Sequence, residues 1–248
     1  MKYLGGIWIL YKKEVKDSFF SPMLYILTAL FCVIIGWLFF NYLVLSKDAT
    51  AAASLTQSVI LPIFGNINFI FLFMAPLLTM RCFAEEKKLN TLDLLFHSRL
   101  QNIQIILGKL FASATSAFFM LSFTLVFPVV LAVSGYSDWA IVASGYLGIF
   151  LSVLSYLAVG IFASSLTENQ VVAALVGFCL LLGSMLLVMS ANASQNYIVG
   201  QILSYLSIPF HFEAFVRGAM KSYSFIYFAS FLSFFIFLTR ESLDSRNW

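Results

Sequence analysis

The chain reads as an all-α membrane protein with six transmembrane helices, and three observations lead there. Of its 248 residues, 61% are hydrophobic and only 10% are charged, far below the quarter expected of a soluble domain. Six apolar runs are long enough to cross about 30 Å of hydrocarbon, which takes roughly 20 helical residues. These runs are continuous rather than alternating, so helices are meant and not a closed barrel.

The N-terminus, residues 1–21, is amphipathic. Leu4, Ile7, Trp8, Tyr11 and Val15 recur at helical spacing, with Lys12, Lys13, Lys16 and Asp17 on the other side. This pattern suits a helix lying in the membrane interface, with Trp8 and Tyr11 as headgroup-level anchors. The lysines follow the first apolar residues and the next run is too long for an h-region, so no cleavable signal peptide is expected.

The first span is Met23 to Leu45, uncharged and preceded by Pro22, a residue suited to a helix's first turn. The second, Val59 to Met80, contains Pro62, Gly65, Asn66, Asn68 and Pro76, so its outer half should bend or begin late. Leu110 to Val133 carries Pro128 near its outer end, and Trp139 to Ala163 begins on an interfacial tryptophan. Val171 to Met189 follows a very short polar turn, and Tyr223 to Leu238 is the shortest span.

With the N-terminus inside, eleven lysines and arginines fall on the cytoplasmic side against Lys47, Arg217 and Lys221 outside. Both termini are therefore expected to be cytoplasmic. This bias also accounts for the net charge of +3 without any nucleic-acid partner.

Cys32, Cys82 and Cys179 show no paired spacing, and His97 and His211 are expected on opposite membrane sides, so neither disulfide, metal nor haem is suggested. No Asp, Glu, Lys, Arg or His lies deep in a span; Lys109 is near an inner end, where it can snorkel to the interface. The chain is thus not expected to harvest an ion gradient. Nor should it hydrolyse ATP: before the Gly108-Lys109 pair stands Ile103 where a phosphate loop needs glycine, and Leu110 replaces the magnesium-binding hydroxyl.

Residues 81–100, between the second and third spans, are the one dense and patterned polar stretch, MRCFAEEKKLNTLDLLFHSRL with its leading Met80. Arg81 to Leu89 can form one helical segment and Thr91 to His97 another, with Asn90 breaking or capping between them. Leu89, Leu92, Leu95 and Phe96 share a face, leaving Glu85, Glu86 and Asp93 for another surface. By pattern alone this is either a docking element for a cytoplasmic protein or a solvated loop with an interfacial helix.

The run T-M-R-x-F-A-E-E-K-K-x-N-T-L-D-L-L after the second span resembles the permease subunits of type-2 ABC exporters, most closely the gliding-motility-associated ones. Ser164 to Gln170 is similar to the family's S-S-L-T-x-N-Q turn, and His211-Phe212-Glu213-x-Phe215-x-x-Gly218 and the closing Arg246-Asn247-Trp248 also fit. Asn90 departs from the usual glycine, but asparagine tolerates left-handed backbone, so the turn should survive.

The resemblance implies a single permease domain, residues 1–248, in a bacterial inner membrane, paired with a second permease copy or a homologue. It implies two ATPase subunits that bind ATP and magnesium in trans, with no cofactor in this chain. Carried over, Glu85, Glu86, Thr91, Asp93 and Leu94 form the ATPase-docking coupling helix, with Arg81 anchoring it near the headgroups. Glu168 and Asn169 are a second docking candidate or a plain helix connector. Residues 191–222 would form an extracytoplasmic, partly re-entrant segment. A non-transporting scaffold of a surface or motility assembly and an ion-coupled carrier remain the alternatives, and no residue specifies a substrate.

Overall fold

A computed structural model describes residues 2–48, 56–91, 101–133, 138–193 and 196–245. Among these residues the fold is entirely helical, with six helical stretches long and apolar enough to cross a membrane. Helix α1, Lys2–Phe20, leads through Ser21 alone into α2, Pro22–Asp48. A π-helical turn, Thr56–Ile60, precedes α3, Leu61–Thr79, so the second span begins with an irregular turn just ahead of Pro62. Helix α4 is short, Ala84–Lys88, and α5 spans Asn102–Thr124.

The third apolar run is broken. Pro128 has no N–H to offer the Thr124 carbonyl, and the chain restarts as α6, Val126–Val133. Helix α7, Trp139–Leu166, is the spine of the bundle: 72% of its apolar window is buried, against 17% for α8, Gln170–Ala193, and for α11, Ser222–Asp244. Two short helices, α9 (Tyr197–Leu206) and α10 (Ile208–Val216), lie between α8 and α11.

Close packing around α7 depends on small residues. A Cβ on Gly160 would lie 2.1 Å from Thr79 Oγ1, so α3 and α7 meet there only because the side chain is absent. Gly177 of α8 faces Pro76 at the same crossing, and Ala112, Ser116 and Ala173 are also buried within this single chain. These small positions serve packing inside the chain.

Helix α1 is also fixed to the bundle along one side. Its inward face carries Leu10, 6% exposed, and Glu14, while Trp8 is 65% exposed and stacks on Tyr11. The Tyr11 hydroxyl hydrogen-bonds Thr115 of α5 at 3.0 Å. The helix therefore packs along α5 and does not merely float in the interface, because Leu10 and Glu14 each find a buried partner there.

At the other end of α7, His211 joins three elements. Its Nδ1 is 3.1 Å from Ser224 Oγ of α11, its Nε2 is 3.0 Å from the Tyr205 carbonyl of α9, and its ring stacks on Tyr227 at 4.0 Å. A buried histidine with both nitrogens satisfied and no other ligating group nearby is a structural pin. Among the described residues no cluster suited to a metal occurs, and His97 lies outside them.

Candidate functional site

The polar stretch after α3 folds as a turn, the helix α4, and a left-handed stop. Asn90 has φ of 53°, the only positive value at a non-glycine residue among those described. Asn90 N–H donates to the Lys87 carbonyl at 3.1 Å and Thr91 N–H to the Glu86 carbonyl at 2.9 Å. These are the two bonds of a Schellman stop, so asparagine performs the turn that glycine usually makes.

The start of α4 is capped from another helix. Ser164, fully buried at the end of α7, accepts hydrogen bonds from the N–H groups of Phe83 (3.0 Å) and Ala84 (3.1 Å). The same hydroxyl donates to the Met80 carbonyl at 3.1 Å. One side chain thus satisfies three backbone groups that the turn would otherwise leave orphaned. Lys87, 6% exposed, donates to the Ser165 carbonyl, and Ser165 Oγ meets Ser242 Oγ of α11 at 3.1 Å. Asn102, at the start of α5, is bonded to the Asp244 carboxylate of α11.

A buried ion triad ties α4 to two further helices. Lys109 Nζ lies 2.8 Å from Glu86 Oε1 of α4 and 2.9 Å from Glu14 Oε1 of α1, with only 1% of its side chain exposed. Lys109 does not snorkel to the interface, because both carboxylates come inside to meet it and its ammonium also faces the Phe83 ring. A buried lysine is tolerated where charge partners replace its water. Two carboxylates on one ammonium leave the cluster with formal charge −1, and Glu86 Oε2 is buried with no hydrogen-bond partner.

The residues singled out by sequence divide accordingly. Arg81 is exposed and Glu85 half-buried, both beside a cleft between α1, α2 and α4. Glu86 faces Lys109 with 15% of its side chain exposed, and Thr91 Oγ1 donates to the Glu86 carbonyl at 3.3 Å. Asp93 and Leu94 lie outside the described residues. Glu168 and Asn169 are exposed in the α7–α8 turn, where Asn169 Oδ1 accepts from Val171 N–H at 2.9 Å and caps α8. Ser164, Lys87, Glu14 and Lys109 complete the site; of these the sequence marks out only Lys109 singly, as a cation near a span's inner end. The double serine of the S-S-L-T turn hints at Ser164.

The arrangement ties one short helix to the ends of several long ones. What it can do is mechanical. Through hydrogen bonds and ion pairs α4 is joined to α1, α5 and α7, and through Ser165 to α11, so displacement of this short helix moves the ends of several spans together.

Comparison with known proteins agrees with this architecture. The sequence pattern described as "ABC-2 family transporter protein" matches residues 8–243. A search among curated proteins finds no match. The family match takes in all six candidate spans and α4, and the chain belongs to the ABC-2 transporter family as its multi-pass membrane component.

Proposed function

We propose that this chain is the transmembrane permease subunit of an ATP-binding cassette exporter, driven by two ATPase subunits that bind ATP and magnesium in trans. The observation that carries the reading is the anchoring of α4: a five-residue helix held by Ser164, Lys87 and Glu86 to several spans suits a lever better than a loop. Its exposed side, with the residues through Leu94 and the Glu168–Asn169 turn, is the surface offered to the ATPase. Both termini and this surface face the cytoplasm of a bacterial inner membrane, in keeping with the positive-inside distribution of charge. A second permease copy or a homologue completes the transporter, covering part of the lipid-facing surfaces of α2, α8 and α11. The likeness to gliding-motility-associated permeases supports export toward the cell surface.

The test is copurification with a coexpressed ATP-binding cassette ATPase of the same genome and stimulation of that ATPase in bilayers. Asp93→Lys combined with Glu168→Lys should abolish both copurification and stimulation while the protein still folds. Unchanged stimulation would sink the docking surface. One observation favours the ion-coupled alternative, the buried Lys109 with its two carboxylates. Gradient-driven transport in vesicles without ATP would select it.

A further inference from the structure

A cleft of about 710 Å³ opens between α1, α2, the end of α3, α4 and α5, a size in the range of small-molecule sites. Its walls are of two kinds. Leu24 and Leu27 of α2 with Leu77 and Leu78 of α3 supply apolar lining. Charge lines it too: beside the paired Lys109, Glu14 and Glu86 stand Lys13 and Asp17 of α1, Arg81 ahead of α4 and Glu85 within α4.

The last four charges are arranged unusually. Lys13 stands four residues before Asp17 on α1, a spacing at which side chains readily pair on a helix, and Arg81 precedes Glu85 across the turn that leads into α4. Yet among the described residues none of the four forms an ion pair or side-chain hydrogen bond, whereas nearby Lys109, Glu14 and Glu86 are paired with one another. Beside the paired triad, two cations and two anions therefore border the same cleft without a side-chain hydrogen bond of their own.

From this we infer that the cleft binds a zwitterionic phospholipid of the adjoining leaflet, a phosphatidylethanolamine. The phosphate would sit against Lys13 and Arg81, whose N–H groups donate to it; the ammonium would donate to Asp17 and Glu85. The acyl chains would lie along the four leucines. A purely anionic lipid leaves both carboxylates facing a like charge. Among the described residues no aromatic side chain lines the cleft to favour a quaternary choline, while a primary ammonium finds two acceptors. This site is independent of what the protein transports.

The test uses native mass spectrometry on the full chain released from bilayers of equal parts dioleoyl phosphatidylethanolamine, phosphatidylcholine and phosphatidylglycerol. One phosphatidylethanolamine per chain should be retained in excess of the other two. Arg81→Glu and Asp17→Lys should each lower that retention by about tenfold, the cost of roughly one charge-assisted contact. Leu78→Trp, which fills the apolar side and leaves the charges intact, should lower it too. Lys88→Glu, an exposed charge of the same segment that does not line the cleft, should leave it unchanged. Equal retention of the three lipids, preference for phosphatidylglycerol, or cleft variants that keep the wild-type thermal midpoint and retain lipid as before would each overturn the site.

Discussion

Lys109 Nζ and Glu86 Oε1 stand 2.8 Å apart, joining the third span to the short helix after the second. Removing the cation alone leaves two largely buried carboxylates without compensation. Lys109→Met should therefore destabilise the fold by roughly 3–5 kcal/mol, the range for breaking a buried pair. A thermal-unfolding series in detergent checks this. Adding Glu14→Gln and Glu86→Gln to the same chain should recover most of the loss, because the charges then disappear together.

Ser164→Ala removes the one acceptor for the Phe83 and Ala84 N–H groups. Leaving such buried groups unpaired costs about 1–3 kcal/mol. Beyond the lower midpoint, α4 should detach from α7, so amide exchange at Phe83 to Lys87 should rise well above that of the helix interiors. Equal exchange in variant and wild type would remove Ser164 from the linkage.

Asn90 holds a left-handed backbone that costs a β-branched residue roughly 1–2 kcal/mol. Asn90→Gly should be neutral or slightly stabilising, and Asn90→Val should lower both stability and coupling to the ATPase. The pair of variants separates the turn's geometry from any contact of the asparagine side chain.

Gly160→Ala should be costly, since its Cβ would overlap Thr79 Oγ1 and the Pro76 backbone lies close behind. Overpacking of this kind costs about 1–3 kcal/mol. Gly183→Ala, with open space where its Cβ would go, serves as the comparison and should be tolerated or mildly stabilising.

The spans were legible because apolar runs of sufficient length have no other use in so greasy a chain. The Asn90 stop was legible too, from the backbone tolerance of asparagine. What could not be read was how distant polar residues meet. Glu14 sits among lysines on what looks like a solvated face, and its partner is Lys109, 95 positions away. Ser164 looks like one more small residue at a helix end; only the crossing of α7 beside α4 makes it a cap. The inward face of α1 could not be read for the same reason, since Leu10 and Glu14 are buried by α5 and not by any periodicity of their own.

The burial of α7 also has a bearing on how the protein is made. In chain order this helix is synthesised before α8 and α11, which cover much of it, and it carries Ser144, Ser152, Ser155, Ser164 and Ser165, all fully or nearly fully buried in the finished bundle. On entering the bilayer those hydroxyls have only α3, α5 and their own helix carbonyls for shelter. Several already turn back onto the preceding turn, as Ser155 Oγ does to the Leu151 carbonyl at 3.1 Å. Self-satisfied serines such as Ser155 let the spine cross the bilayer beside α3 and α5 and acquire α8 and α11 afterwards, so the bundle can be completed in chain order.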